Sequence, residues 1–248
     1  MPTTLKRLRF PFVLLAIISI GFQSIQADEP AVLPTAHTTQ KIEGWTIRVD
    51  NRLLKGEHKP TGDQALKLLA ARLIAITTVM PEKSLEKLRS VTIQLDLNHG
   101  KLTAMQYHPS AGWLKANGYS PELARCVHIP EVSDFLSPSE NLRMPSVVLH
   151  ELAHAFHDQT IGFDDPRVVA AWEKFCKNES YKSVMTTLGQ NRDHYGLTNP
   201  QEFFAEMTES YFGTNDFYPF VAGELQQAEP EVFALLKEIW GPLPGYAE

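Results

Sequence analysis

The feature that most constrains this chain is the segment His150-Glu151-Leu152-Ala153-His154, which lies inside a mainly apolar run over residues 145–157. Apolar residues flank the polar ones and Pro145 is a favourable first-turn residue, so the pattern predicts a buried helix over about 145–159. Residues four apart share a helix face. The imidazoles of His150 and His154 are therefore expected side by side, with Glu151 just round the helix.

Two imidazoles one turn apart can bind one cation, and a neighbouring carboxylate can take a proton from metal-bound water. The alternative is a chance match on an exposed polar helix. Here the helix is apolar, and two histidines and a glutamate are costly to bury without a compensating partner such as a metal ion. The segment predicts a zinc site with His150 and His154 as ligands and Glu151 as general base.

The first 27 residues have the pattern of a secretory signal peptide. Three basic residues precede an apolar stretch over residues 10–22, and the segment ends on the small residue Ala27. The stretch is shorter than the roughly 20 residues that span a bilayer, which disfavours the alternative of an uncleaved membrane anchor. We therefore expect cleavage near Ala27-Asp28, a secreted or periplasmic protein, and no stable membrane insertion afterwards.

The charge of the chain restricts its partners. The sequence has 23 Lys and Arg and 29 Asp and Glu, and removal of residues 1–27 takes away three basic residues, which leaves 20 minus 29, or −9. This charge argues against nucleic acids and anionic membrane surfaces as partners. The expected partner is a peptide or protein substrate, and the oligomeric state stays open.

Two cysteines remain after the signal peptide, Cys126 and Cys176. In an oxidising compartment they could form one disulfide, and the alternative is two unpaired thiols. Both possibilities stay open because the sequence gives no distance between them.

The pattern of elements predicts an α+β protein. Residues 28–43 contain two prolines and no periodicity, which predicts a flexible leader, and residues 44–248 are predicted to form one domain. Thr61-Gly62-Asp63-Gln64 resembles a capping box at the start of the first helix. Strands are predicted at 44–50, 91–97, 101–107 and 125–129, and helices at 62–80, 145–159, 166–177, 200–212 and 230–240. The result is a small mixed sheet with helices, followed by a mostly helical C-terminal lobe.

A catalytic zinc usually has three protein ligands, so one more is required. A further histidine six residues after His154 would be one solution, but position 160 is Thr. The better candidates are Glu202 and Glu206, which stand four apart in an apolar helical segment. Glu202 could reach the metal while Glu206 accepts the far N–H of a liganding histidine. The alternatives are helix capping for Glu202 and a surface charge for Glu206.

The combined pattern resembles the catalytic domain of anthrax lethal factor and its relatives, which are gluzincin zinc metalloproteases. The resemblance rests on the His-Glu-x-x-His motif and on the Tyr-Gly-x-Thr-Asn-x-x-Glu-Phe-Phe-Ala-Glu segment over residues 195–206. It implies a zincin-like fold, one zinc ion held by His150, His154 and Glu202, Glu151 as general base, Tyr195 as donor to the oxyanion, and Glu206 behind the ligands. The chain lacks the large targeting domains of the toxin, so the toxin's substrate and delivery route do not transfer.

The resemblance implies a zinc metalloendopeptidase that hydrolyses peptide bonds. Two other functions stay open: a non-peptidase binding protein with a zincin fold, and a zinc amidohydrolase acting on a small amide or a cell-wall peptide. Either strand 101–107 or strand 125–129 could offer an edge to an extended peptide. His157 has no place among the ligands and is interpreted as structural. The other candidates could line the cleft or simply pack, and they are His108, His128, His194, Trp113 and Arg192.

Overall fold

The computed structural model of the protein describes residues 32–246. The predicted signal peptide lies outside the described residues. The strands are β1 (His37–Ile42), β2 (Trp45–Asp50), β3 (Ile93–Leu95), β4 (Gln106–Tyr107), β5 (Val127–Ile129), β6 (Val184–Met185) and β7 (Asn191–Arg192). The helices are α1 (Lys59–Val79), α2 (Glu82–Arg89), α3 (Ala111–Ala116), α4 (Val132–Phe135), α5 (Pro138–Arg143), α6 (Val147–Phe156), α7 (Pro166–Phe175), α8 (Pro200–Phe212), α9 (Ala222–Ala228) and α10 (Pro230–Trp240).

Five strands form one mixed sheet in the order β1-β2-β3-β5-β4. The pairs β2–β3 and β3–β5 are parallel, whereas β1–β2 and β4–β5 are antiparallel. Strands β6 and β7 form a separate two-stranded ribbon. This arrangement confirms the prediction of a mixed α+β protein with a small mixed sheet.

The flexible leader predicted over residues 28–43 is wrong for its last part, because β1 pairs along its whole length with β2. The sequence of β1 has no apolar alternation, and its side chains are exposed or only partly buried, so periodicity could not reveal it. The turn explains the pairing. Glu43 and Gly44 both have positive φ values, 50° and 94°, as a two-residue hairpin loop that matches the strand twist requires.

The capping box predicted at residues 61–64 is also wrong. Helix α1 begins at Lys59, three residues before the predicted start at residue 62, with Pro60 in its first turn. Proline is favoured there because its missing N–H is not needed in the first turn. The helix ends at Val79, before Pro81, close to the predicted end.

One face of the sheet forms the hydrophobic core together with the helices. The strand residues on this face are fully or almost fully buried, and they are Ile47, Val49, Ile93, Leu95, Val127 and Ile129. Helices α1, α2 and α6 contribute buried leucines and other apolar residues to the same cluster. Burying a leucine or isoleucine contributes roughly 1.5–3 kcal/mol, so this layer fixes the position of α6 against the sheet.

The C-terminal part after α6 is mostly helical, as predicted. Helices α7, α8 and α10 lie within two residues of their predicted bounds. Five short helices were not predicted, namely α2, α3, α4, α5 and α9. Most of them have four to seven residues, too few for the apolar spacing of a helix to be distinct.

Helix α8 packs directly against α6, and a pair of hydrogen bonds ties the start of α6 to the end of α8. The Oγ of Ser146 donates to the carbonyl of Thr214 at 2.8 Å and accepts from the N–H of Thr214 at 3.1 Å. Gly213 permits this approach, since a Cβ there would lie 2.7 Å from the Oγ of Ser146. The two helices that carry the candidate site are thereby held together.

Both cysteines are free thiols, with Cys126 buried and Cys176 partly buried. Within residues 32–246, no helix combines the length and the apolar character that a membrane span requires.

Candidate metal centre

Helix α6 carries the histidine pair in a buried setting. His150 and Glu151 are buried, and the side chain of His154 is 12% exposed. The rings of the two histidines meet edge to face with centroids 4.7 Å apart. Helix α6 ends at Phe156 and continues as a π-helical turn over His157–Ile161. The four-residue spacing thus places both imidazoles on the same face, as the sequence predicts.

Glu202 reaches the histidines from the first turn of α8. The side-chain oxygen of Asn199 accepts the backbone N–H of Glu202 at 2.8 Å and caps the helix. Asn199 caps the helix, so the carboxylate of Glu202 is not needed as a cap. The carboxylate points instead to the histidines of α6. Glu202 is therefore the third residue after the cap and a neighbour of both histidines at once.

Three side-chain atoms converge at one point. The Nε2 atoms of His150 and His154 are 3.1 Å apart, and the Oε2 of Glu202 lies 3.1 Å from the first and 3.3 Å from the second. A single shared proton can form a hydrogen bond in only one of these three contacts, so it does not account for the other two. A tetrahedral zinc ion with bonds of about 2.0–2.1 Å separates its ligand atoms by roughly 3.4 Å, so the three atoms fit such an ion.

The surroundings of these atoms favour positive charge. Burial alone would raise the pKa of Glu202, but its contacts with His150 and His154 hold that pKa below its ordinary value. Burial likewise opposes protonation of His150, yet the carboxylates of Glu202 and Glu209 raise its pKa well above the ordinary value. A bound cation supplies the same compensation for these buried carboxylates.

Glu151 lies beside the three converging atoms but makes a different contact. Its Oε2 accepts the backbone N–H of Tyr107, in strand β4, at 2.7 Å. Burial raises the pKa of Glu151 above its ordinary value, and the neighbouring histidines oppose that rise. The bond to Tyr107 fixes one carboxylate oxygen and leaves the other for a second partner.

The expected contact of Glu206 with a liganding histidine is replaced by a contact of Glu209. The Nδ1 of His150 lies 2.6 Å from the Oε1 of Glu209 and 3.8 Å from the Oε1 of Glu206. Residue 209 lies seven positions after Glu202, nearly two helical turns, so the same face of α8 carries both. The sequence signal for Glu209 is its spacing, because Glu202, Glu206 and Glu209 lie on one face of the helix.

A group of buried carboxylates lies behind His150. Among the described residues, the Oε2 atoms of Glu206 and Glu209 and the Oδ1 of Asp216 have no hydrogen-bond partner. Burial, together with Asp216 and Glu209, raises the pKa of Glu206 well above its ordinary value. Burial and Glu209 raise the pKa of Asp216 to about 7. A cation bound nearby would favour the ionised forms of Glu206 and Asp216.

Tyr195 begins a single 3₁₀ turn, Tyr195–Leu197, just before α8. Its side chain is 47% exposed, and its hydroxyl makes no hydrogen bond to any described residue. Partial burial, and next the carboxylate of Glu202, raise the pKa of Tyr195 above its ordinary value. Gly196 allows the turn to lie close to the structure behind it, since a Cβ there would be 3.2 Å from the ring of His194.

The other residues that could line a cleft differ in exposure and position. His128 and His194 are buried, and His194 caps the Tyr195 turn by accepting the N–H of Gly196 at 3.0 Å. Arg192 is exposed on β7 and contacts Gln190. His108 and Trp113 lie next to the open edge of β4, where their rings stack with centroids 6.5 Å apart.

His157 is fully buried and both of its ring nitrogens lack a hydrogen-bond partner among residues 32–246. Its ring packs against Phe163 and Phe204, with centroids 5.2 and 4.7 Å away. Burial, with a smaller effect of His154, lowers the pKa of His157 to about 4. The residue belongs to the core, in agreement with the structural role predicted for it.

The low pKa of His157 predicts a pH-dependent stability. As the pH falls below about 6.5 the unfolded chain binds a proton at this residue, whereas the folded chain does so only near pH 4. Folding therefore loses about 2 kcal/mol from this residue between pH 7 and pH 5. A His157→Leu variant should lose about 2 kcal/mol less than the parent over the same interval.

Urea unfolding at both pH values, with a chelator present so that metal release does not contribute, measures this difference. The partly exposed His58 provides the control variant His58→Leu, which should follow the parent. Equal losses for the parent and His157→Leu would contradict the assignment.

Residues 134–240 match the model of a family described as glucose-regulated metallo-peptidase M90. The match covers 107 of the 248 residues and includes His150, Glu151, His154, Tyr195 and Glu202. It supports the prediction of a metallopeptidase, for which zinc is the expected metal. The resemblance to anthrax lethal factor is a finer interpretation that this match does not address. No curated protein and no solved structure matches the chain significantly.

Proposed function

We propose that the protein is a zinc metallopeptidase of the gluzincin type, with His150, His154 and Glu202 as ligands of one zinc ion. The observation that carries this proposal is the convergence of two Nε2 atoms and one carboxylate oxygen at 3.1–3.3 Å, beside the carboxylate of Glu151. A structural zinc site is closed by a fourth protein ligand, whereas a catalytic site keeps a position open and needs a base. Three ligands with a neighbouring base match the catalytic type.

A bound zinc ion supplies a Lewis acid that acidifies water and polarises a carbonyl group. Glu151 takes the proton of the attacking water with the oxygen that is not bonded to Tyr107, and passes it to the leaving amine. Tyr195 donates its hydroxyl to the oxyanion that develops on the substrate carbonyl. Glu209 accepts the Nδ1–H of His150 and keeps Nε2 free for the metal.

The substrate is a peptide or a protein segment that lies along β4. Of the two strands considered, β5 is enclosed between β3 and β4, whereas β4 is the last strand of the sheet. An extended peptide can add to such an edge through backbone hydrogen bonds. The same strand holds Glu151 through Tyr107, so a peptide on this edge passes the base. An open edge suits a peptide better than a small amide.

We propose that this activity lies outside the cytoplasm. The signal-peptide pattern over residues 1–27 supports a secreted or periplasmic protein, and the charge of −9 after its removal supports neither nucleic acid nor an anionic membrane as partner.

Metal analysis tests the proposal. The purified mature protein should keep about one equivalent of zinc after dialysis. A His150→Ala, Glu202→Ala double variant should keep almost none, because it retains only one protein ligand. The control is a His58→Ala, Glu57→Ala double variant. It removes a histidine and a glutamate at the surface, whose Nε2 and Oε1 atoms lie 3.5 Å apart. Unchanged zinc in the first variant would overturn the ligand set.

A peptide-library digest with the same protein tests hydrolysis and gives the cleavage preference.

Glu209 and Glu206 can be separated by one experiment. Glu209→Gln should weaken zinc binding about 10–100-fold, as removal of a carboxylate that orients a ligand does. Glu206→Gln, at 3.8 Å from the same nitrogen, should change it less than about threefold. Competition with a zinc chelator measures both affinities. A larger loss for Glu206→Gln would restore the original assignment of Glu206.

A further inference from the structure

The face of the sheet opposite the hydrophobic core carries a buried polar network. Its centre is Asp96, which is fully buried. Oδ1 of Asp96 lies 2.6 Å from Nε2 of His37, and Oδ2 lies 2.6 Å from Nδ1 of His99, 2.8 Å from Nε2 of His128 and 2.9 Å from Nε2 of Gln94. These separations are those of hydrogen bonds and are shorter than the roughly 3.4 Å between ligands of a zinc ion. The group is therefore a hydrogen-bond centre and differs from the site on α6.

The network fixes the tautomers of two histidines. Burial opposes ionisation of Asp96, but the bonds from His128, His37 and His99 lower its pKa, so the carboxylate is charged and can only accept. His128 must then carry its proton on Nε2, and its Nδ1 accepts from Nε2 of His108 at 3.1 Å. Burial lowers the pKa of His108 to about 4, so the ring is neutral near pH 7. The remaining nitrogen, Nδ1 of His108, is consequently a hydrogen-bond acceptor.

His108 lies in the wall of a depression along the open edge of β4. The depression has a volume of about 310 Å³, at the small end of ligand pockets, and is lined by Gln106, Tyr107, His108, Pro109, Ser110 and Trp113. Trp113 is half exposed and offers an aromatic face, while most of the remaining wall is apolar. Tyr107 both lines the depression and holds Glu151, so the depression adjoins the base.

We propose that this depression binds a tyrosine side chain of the substrate, with its ring against Trp113 and its hydroxyl donating to Nδ1 of His108. The inference rests on the proposed peptidase function and names its substrate preference. A tyrosine satisfies the acceptor of His108, whereas a phenylalanine of the same shape leaves that acceptor without a partner. His108 is therefore a specificity-determining residue, and His128 and Asp96 are positioning residues that fix its acceptor.

The preference can be measured on pairs of peptides. In a peptide that the parent enzyme cleaves, each position within four residues of the scissile bond is replaced by Tyr and by Phe. One position should show a kcat/KM about tenfold higher for Tyr than for Phe. In His108→Leu the ratio should fall to about one, and in Trp113→Ala both peptides should lose activity together with the ratio retained.

A parent enzyme that treats Tyr and Phe alike at every position would overturn the inference, whatever the variants do. So would a His108→Leu enzyme that is folded and keeps the tenfold ratio. Binding of the paired peptides to Glu151→Gln protein by calorimetry gives the same comparison without turnover. If no peptide is hydrolysed but the Tyr peptide binds about tenfold more tightly, the peptidase proposal fails and the tyrosine site stands.

Discussion

Glu151→Gln should reduce peptide hydrolysis by a factor of about 10²–10⁴ while the fold and the zinc content stay those of the parent. Glutamine has the shape of glutamate, and its carbonyl oxygen can still accept the N–H of Tyr107 that Glu151 accepts at 2.7 Å. It cannot take a proton from water. The loss should therefore fall on the turnover number and leave substrate binding nearly unchanged.

Steady-state kinetics on a cleaved peptide, metal analysis and a thermal melt measure the three quantities. Glu173→Gln, on the exposed side of α7, is a matched control that should equal the parent in all three. If Glu151→Gln remains within tenfold of the parent on any cleaved peptide, Glu151 is not the base. A lost zinc ion would instead indicate that Glu151 supports the ligands.

The parts of the site that the sequence could predict are those fixed by local geometry. The spacing of His150 and His154 on one helix face follows from 3.6 residues per turn, whatever the rest of the chain does. Helix α8 was equally accessible, because Asn199 and Pro200 mark its start and Gly213 its end. That Glu202 meets the histidines across 52 residues depends on how α8 packs on α6. From the sequence, Glu202 is predicted as a ligand only by its spacing from Glu206 and by the resemblance to gluzincin metalloproteases.

The parts that the sequence could not predict depend on distant pairing. Strand β1 has no apolar alternation and exists because it pairs with β2 through a two-residue turn. Nothing local distinguishes β4 from β5 as the edge, since that depends on the order of strands in the sheet. The group around Asp96 brings together three segments separated by up to 91 residues, from His37 to His128. Each of its histidines alone is an ordinary residue.

Tyr195→Phe should lower the turnover number by about 2–4 kcal/mol of barrier, or about 30- to 1000-fold, and leave zinc content and substrate affinity nearly unchanged. A hydroxyl that donates to the oxyanion gains strength only as charge develops on the substrate. The side chain of Tyr195 is 47% exposed, and its hydroxyl has no partner among the described residues. A tyrosine that served only packing would be expected to bury its ring and satisfy its hydroxyl.

A catalytic role and a packing role of Tyr195 predict opposite effects of Tyr195→Phe on the turnover number and on the melting temperature. For a catalytic hydroxyl, Tyr195→Phe slows turnover at an unchanged melting temperature, because no bond within the folded chain is lost. For a packing residue, the variant would cost about 1 kcal/mol of stability and leave the rate unchanged. Tyr218→Phe, a change of the same kind at a side chain that is 37% exposed, provides the control for both measurements. An unaltered turnover number in Tyr195→Phe would exclude the catalytic role, and the stabilisation of the oxyanion would then have to come from the metal site alone.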